Sequence, residues 1–143
     1  AEQLSPAAVV DLATLTGACV TALGEHTSGL FGRHDDDTDR LVERISASAV
    51  AVHERVWRLP LWEEYDKQIK GDVADVKNVG SGGGGAITAA AFLGKFAKEY
   101  PWVHLDIAGV MSYDADKGYN VKGASGYGAR LLTHLAENWP DPE

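Results

Sequence analysis

The sequence predicts an α/β fold in which a mixed, largely parallel sheet is flanked by helices. Two apolar segments, residues 7–13 and 102–108, are each typical of a strand inside such a sheet. Between them, residues 35–52 begin with acidic side chains suited to a helix N-terminus and continue with an apolar stripe at helical spacing. Strand-like and helix-like segments alternate along the 143 residues, which are enough for one domain, so parallel pairing is favoured.

Apolar periodicity and turn residues place the remaining elements. In chain order they are a turn and short helix at 14–24, a short strand at 28–31, an extended segment at 55–60, a helical turn or two at 61–69, a helix after the glycines with helical spacing from Ile87 to Tyr100, a loop at 113–128 and a closing amphipathic helix at 129–139. The helix after Gly85 has apolar residues at two spacings, so we expect it to be buried on two sides. Residues 1–4 are typical of a last helical turn stopped before Pro6, and we expect the earlier turns upstream.

Composition restricts the possible partners and compartment. A formal charge of −8 and a pI near 5.0 argue against nucleic acid, because phosphate binding requires clustered Lys and Arg. A single cysteine, Cys19, excludes an internal disulfide framework and is expected to be a buried small hydrophobe. No run of about 18 apolar residues is available for a membrane span. These features predict a soluble, cytoplasmic protein.

A glycine-rich loop raises the possibility of nucleotide binding. Gly80, Gly82 and Gly85 have the G-x-G-x-x-G spacing of a dinucleotide fingerprint, and Asp106 follows about 20 residues later, where a ribose-binding acid occurs. The strand that should lead into the first glycine is missing, since residues 71–78 are polar and carry two carboxylates. A dinucleotide-binding domain therefore stays open as an alternative, although the glycine motif that supports it is weak.

Side chains able to bind metal or to act as nucleophiles show no supporting spacing. None of the histidines has H-E-x-x-H or another tight ligand spacing, so structural or surface roles are favoured for His26, His34, His53, His104 and His134. The serines lack a G-x-S-x-G context. Asp11 and Asp106 lie inside apolar strands, where a buried carboxylate requires a partner or a function.

Three segments, read in order along the chain, carry a family pattern. They are D-L-A-T-L-T-G-A at residues 11–18, V-W-R-L-P-L-W at residues 56–62 with Tyr65, and the glycine loop with A-I-T-A-A at 86–90 and H-L-D-I-A-G at 104–109. Together with K-G-A-S-G at residues 122–126, they resemble the C-terminal half of the catalytic domain of leucyl aminopeptidases. These are the cytosolic two-metal enzymes that remove N-terminal residues from peptides.

The resemblance implies which parts of the active site the chain lacks. In that family the metal ligands and the catalytic lysine and arginine belong to a glycine-and-lysine segment and an N-T-D-A-E-G-R segment, and neither occurs here. No catalytic residue and no metal ligand is therefore expected in residues 1–143. The two divalent ions, zinc or manganese, are expected in the complete enzyme, with their ligands upstream of Ala1.

The resemblance also implies that the chain holds the far wall of the substrate pocket. Leu15 would supply backbone hydrogen bonds to the substrate peptide, and four residues would line the pocket for its N-terminal side chain: Thr14, Gly17, Ala108 and Met111. The physical chemistry agrees, because ligands of α/β sheets bind beyond the carboxyl ends of strands and because methionine gives an adaptable apolar wall. Simple core packing is the alternative explanation for the same residues.

The sequence thus predicts part of a leucine-type metal-dependent aminopeptidase, inactive as this chain alone. Its expected partners are peptide substrates, the missing N-terminal half and, when complete, further copies in a homo-hexamer. Neither nucleic acid nor a membrane is expected as a partner. Besides the dinucleotide-binding domain, a non-catalytic association module stays open, because a partial chain could retain only the hexamer contacts.

Overall fold

The strands form one mixed sheet. The computed structural model describes residues 1–116 and 118–140, and its main sheet has four strands in the order β1-β4-β2-β3. These strands are β1 Val9–Ala13, β2 Ser28–Gly32, β3 Val56–Arg58 and β4 Trp102–Asp106. The pairs β1–β4 and β2–β3 are parallel and the pair β2–β4 is antiparallel. The prediction of a mixed, largely parallel sheet is confirmed.

Five α-helices accompany the sheet within the described ranges, close to their predicted positions. They are α1 Gly17–Leu23, α2 Asp36–Val52, α3 Glu63–Gln68, α4 Gly85–Gly94 and α5 Ala129–Glu137. Helix α2 shows why the pattern was readable: the Asp35 carboxylate caps its first turn by accepting the Thr38 amide at 2.9 Å, and its apolar stripe is buried through Ile45 and Ala49. No described helix has both the length and the apolar character required to cross a bilayer.

The two faces of the sheet differ in chemistry. On one face, Val103 and Leu105 of β4 pack with side chains of α2 and α5 in the larger apolar cluster. Phe31 belongs to a second cluster on the opposite face, together with residues of α1 and α4. Because neighbouring strand residues point to opposite faces, His104 and Asp106 alternate with Val103 and Leu105 and lie on the α1 and α4 side. The polar side chains of β4 are therefore all on one face.

Strand β1 is less buried than the apolar run at residues 7–13 predicted. All five residues of Val9–Ala13 are only partly buried. The strand is at one edge of the sheet and, among the described residues, pairs with β4 alone. An apolar run predicts a strand, whereas its place in the sheet depends on segments distant in sequence.

The helix predicted after the glycines, with helical spacing as far as Tyr100, is too long. Helix α4 ends at Gly94, and Phe96 is 65% exposed. The next amides donate to carbonyls three residues back, from Phe96 to Leu93 for example, so tight turns replace the helix. A Cβ at Gly94 would lie 3.1 Å from the Trp102 ring, which shows how closely the end of α4 packs against the start of β4.

The segment predicted as a loop at residues 113–128 contains part of a small hairpin. Ser112–Tyr113 forms β5 and pairs antiparallel with β6, Gly123–Ala124. Strands of two residues are too short to show the alternation that predicts longer ones. Lys117, which belongs to the predicted loop, lies outside the described residues.

Candidate functional site

The candidate site lies beyond the carboxyl ends of the parallel neighbours β1 and β4. The Ile107 amide donates to the Ala13 carbonyl at 2.9 Å, so the segments that follow β1 and β4 stay adjacent past the ends of the strands. The turn at residues 14–16 then leads into α1, and the segment after Asp106 runs through Ala108 towards β5. This is the edge at which α/β sheets bind ligands.

The carboxylate of Asp106 joins the two segments. Its Oδ1 accepts the backbone amides of Leu15 at 3.1 Å, Thr16 at 3.4 Å and Ala108 at 3.2 Å. Its Oδ2 accepts the Thr16 hydroxyl at 2.7 Å. Asp106 is fully buried, and a buried carboxylate requires such a set of donors. The expectation that this residue needs a partner is confirmed, and the partners come from both segments.

Helix α1 is held at both ends by the D-I-A-G segment, residues 106–109. At its start, Thr16 is the N-cap, with its hydroxyl accepting the Cys19 amide at 3.0 Å and donating to Asp106. At its end, a Cβ added to Gly109 would lie 2.2 Å from the carbonyl oxygen of Gly24, so no larger residue fits there. The turn before α1 and the D-I-A-G segment therefore form one packed unit.

Cys19 lies beneath this unit. Its side chain is 1% exposed, and its thiol contacts the Asp106 carbonyl oxygen at 3.8 Å. Burial raises the pKa of the Cys19 thiol, and the nearby Asp106 charge raises it further. A thiol held protonated in this way is a poor nucleophile, so the prediction of a buried small hydrophobe is confirmed.

The five predicted pocket residues differ in exposure and in how they are connected. Thr14 and Gly17 are exposed, Leu15 and Ala108 are partly buried, and Met111 is 48% exposed. Hydrogen bonds to Asp106 link Leu15 with Ala108. Met111 is connected to a different part of the chain, because its carbonyl accepts the Ser125 amide at 2.9 Å. A surface cavity of about 350 Å³ lies nearer β6, lined by other residues including Tyr113, Tyr119 and Arg130.

Two details bear on the predicted roles of these residues. The Leu15 amide is already bonded to Asp106, so a substrate would have to use the Leu15 carbonyl oxygen. A Cβ added at Gly17 would meet no atom within 4 Å, so space is open beside this residue. Both details are compatible with a pocket wall, and the substrate-binding roles stay predictions.

The glycine loop packs against neighbouring helices. A Cβ would lie 2.7 Å from Thr88 if added at Gly80 and 3.1 Å from Ala18 if added at Gly85. Immediately before this loop, described residues 71–79 form turns and an isolated bridge, and none belongs to a strand. The dinucleotide fingerprint thus lacks the strand on which its geometry depends.

The other carboxylate inside a strand, Asp11, is only partly buried and contacts β4. Its Oδ2 accepts the Trp102 indole N–H at 2.6 Å, and its Oδ1 lies 2.6 Å from the Nδ1 of His104. His104 is fully buried and therefore has a structural place in the sheet. Across residues 1–116 and 118–140, no three His, Cys, Asp or Glu side chains converge in a group that could hold a metal ion. The residues present do not fit a two-metal centre.

Thr16 is the residue of this site that sequence reasoning did not single out. The sequence did carry a signal for it, because threonine is a preferred N-cap and Thr16 immediately precedes a short helix. Its second bond, to Asp106, spans 90 residues and has no local signature.

Comparisons with known proteins agree on one family. The model of the cytosol aminopeptidase family, catalytic domain, matches residues 1–133. The probable cytosol aminopeptidase of Chlorobium luteolum is 52% identical over 140 residues, covering 97% of this chain and 27% of the relative. The probable cytosol aminopeptidase of Roseiflexus castenholzii is 47% identical over 140 residues, covering 97% of this chain and 28% of the relative. The chain thus spans about a quarter of the length of these relatives.

A solved structure shares the fold. A mutant of tomato leucine aminopeptidase superposes with a TM-score of 0.83 at 40% identity, covering 93% of this chain and 25% of that one. The predicted family resemblance is confirmed by the sequence matches and by this structure. The chain belongs to the cytosol aminopeptidase family and corresponds to part of its catalytic domain.

Proposed function

We propose that this chain forms one wall of the substrate pocket in a metal-dependent aminopeptidase that releases N-terminal residues, of leucine type, from peptides. The observation that carries the proposal is the Asp106 carboxylate, which binds the turn at Leu15 and Thr16 to the segment at Ala108. A specificity pocket requires walls of fixed separation, and this network supplies such a constraint. Family membership supplies the reaction class.

The five predicted residues take two parts in the proposal. The Leu15 carbonyl oxygen accepts a hydrogen bond from the bound peptide, since the Leu15 amide is bonded to Asp106. Thr14, Gly17, Ala108 and Met111 line the space for the substrate's N-terminal side chain. Open space beside Gly17 and the half-exposed side chain of Met111 support this arrangement.

The metal ions and catalytic residues belong to the rest of the protein in this proposal. The described residues hold no metal-binding cluster, and this chain spans about a quarter of the length of the relatives. The complete protein is proposed to bind two divalent ions, zinc or manganese, to assemble as a homo-hexamer and to work in the cytoplasm. The name of the relatives, cytosol aminopeptidases, supports the compartment.

Hydrolysis of a free and a blocked substrate by the complete protein tests the function. With zinc or manganese supplied, leucine p-nitroanilide should release p-nitroaniline, whereas N-acetyl-leucine p-nitroanilide should not, because an aminopeptidase requires the free α-amino group. Chelation should abolish the activity, and the added metal should restore it. Equal cleavage of the two substrates, or no cleavage of either, would contradict the proposal.

A further inference from the structure

We propose that Asp106 and Thr16 act together as positioning residues that set the separation of the two pocket segments, and with it the preference for substrate side-chain size. This inference rests on the proposed aminopeptidase function. Neither side chain is assigned to contact the substrate. Their effect is on where Leu15, Gly17 and Ala108 lie.

The first step is the way Asp106 uses its two oxygens. Oδ1 collects amides from both segments, those of Leu15 and Thr16 on one side and that of Ala108 on the other. The backbone on both sides of the pocket is therefore hydrogen-bonded to the same oxygen atom. Because Asp106 is fully buried, loss of its carboxylate would leave these amides without their acceptor.

The second step is the way Thr16 extends the link into α1. Its hydroxyl donates to Asp106 Oδ2 at 2.7 Å and accepts the Cys19 amide at 3.0 Å. A single oxygen thus fixes the first turn of the helix relative to the carboxylate. Gly17, the residue next to Thr16, begins that turn, so its position depends on the same hydrogen bonds.

The third step separates positioning from simple stability. A residue that only stabilises the fold would lower activity on all substrates together as folded protein is lost. Loosening the separation of two walls should instead weaken binding most for side chains that touch both walls. Leucine substrates should therefore suffer more than alanine substrates, and through KM more than kcat.

Matched threonine variants of the complete enzyme test the inference. Thr16→Val removes the hydroxyl and both of its hydrogen bonds at nearly unchanged volume, whereas Thr16→Ser keeps both. Thr21→Val is the control, because Thr21 lies in the same helix and its hydroxyl donates only within it, to the Gly17 carbonyl at 3.1 Å. Leucine and alanine p-nitroanilides are assayed on the same preparations.

We expect Thr16→Val to lower the leucine-to-alanine ratio of kcat/KM about 10-fold, the effect of losing one charge-assisted hydrogen bond, mainly through a higher KM for leucine. Thr16→Ser and Thr21→Val should each keep the ratio within about 2-fold of the unmodified enzyme, a change of roughly 0.4 kcal/mol. An equal loss on both substrates in Thr16→Val, or a loss in Thr16→Ser as large as in Thr16→Val, would overturn the inference.

Amide hydrogen exchange separates failure of this inference from failure of the proposed function. In Thr16→Val the Leu15 and Ala108 amides should exchange faster than in the unmodified protein and in Thr21→Val, whether or not the protein is active. Unchanged exchange at both amides would overturn the positioning role. If these amides exchange faster in Thr16→Val but the unmodified protein hydrolyses neither substrate, the positioning role stands and the aminopeptidase assignment is wrong instead.

Discussion

The Nδ1 of His104 lies 2.6 Å from a carboxylate oxygen of Asp11, and the two residues face each other on the parallel strands β4 and β1. The other carboxylate oxygen of Asp11 accepts the indole N–H of Trp102 at 2.6 Å. A carboxylate can only accept, so Nδ1 carries the hydrogen in this contact. The Asp11 carboxylate therefore accepts hydrogen bonds from one ring nitrogen each of Trp102 and His104 on the neighbouring strand.

Loss of this carboxylate should destabilise the sheet. Asp11→Ala leaves the buried donors of His104 and Trp102 without their acceptor, at a cost of about 1–3 kcal/mol each. The Asp11 side chain is 38% exposed, so water can reach part of the site and we expect a total near 2 kcal/mol. Urea unfolding of the purified protein measures the change. Asp11→Asn, which keeps one acceptor oxygen, should lose less, and equal losses in the two variants would contradict this account.

A second buried acid, Glu54, should stabilise the closing helix. Its Oε2 accepts the amides of Gly128 at 3.1 Å and Leu131 at 2.9 Å, and its Oε1 accepts the Nε–H of Arg130 at 3.2 Å. The charge therefore lies at the N-terminus of α5, where the helix dipole favours it. We expect Glu54→Gln to lower the free energy of unfolding by about 1–2 kcal/mol.

A matched change at the opposite end of α5 is the control. Glu137 is exposed in the last turn, so Glu137→Gln should leave the free energy of unfolding within about 0.5 kcal/mol of the unmodified value. If both glutamine variants unfold at the same urea concentration, Glu54 has no capping role.

Tyr127 should make stability depend on alkaline pH. Burial raises the pKa of Tyr127 from 10.0 to about 12, and the Glu54 charge adds to this effect while the hydrogen bond from Ser28 opposes it. The folded state thus keeps the phenol proton at pH values where the unfolded chain has lost it. The resulting stabilisation is complete below pH 10 and is lost between about pH 10 and pH 12.

Comparison with Tyr127→Phe isolates this contribution. Unfolding free energies of the two proteins, measured at several pH values, should fall less steeply above pH 10 in the phenylalanine variant. The phenol also donates to the Arg55 carbonyl at 2.7 Å, so the variant should be less stable at neutral pH. Parallel curves for the two proteins across the alkaline range would contradict the assigned pKa.

Sequence patterns predicted the elements well because most carry their signal locally. Helix α2 has a capping acid and a complete apolar stripe, and β4 is a mostly apolar strand whose polar residues are His104 and Asp106. The end of α4 was missed because helical spacing continues through Phe96, although the chain must turn there to enter β4. Packing between segments decided that boundary, and periodicity does not register it.

For the same reason, the sequence predicted only part of the candidate site. A carboxylate in an apolar strand predicted that Asp106 has a partner, since an isolated buried charge is costly. The identity of the donors was hidden, because Leu15 and Thr16 lie 91 and 90 residues away along the chain. Family resemblance supplied the proposed pocket residues, whereas the hydrogen bonds that connect Leu15 and Ala108 through Asp106 required the structure.

The pocket assignment predicts a size-dependent penalty at Gly17. A Cβ at this position meets no atom within 4 Å, and Gly17 is the first residue of α1, so Gly17→Ala and Gly17→Val should both fold. Each added methyl group should occupy space intended for the substrate's side chain. Filling a pocket by a few methylenes changes discrimination by about 10- to 200-fold, and the valine variant should show the larger effect.

The ratio of kcat/KM for leucine and alanine p-nitroanilides, measured on Gly17→Val and the unmodified complete enzyme at matched metal content, tests the pocket assignment most directly. We predict that the ratio falls by at least about 10-fold because leucine is excluded while alanine still fits. Partial misfolding would lower both activities together and leave the ratio unchanged. An unchanged ratio, with or without loss of activity, would contradict the account and return the turn before α1 to a purely structural role.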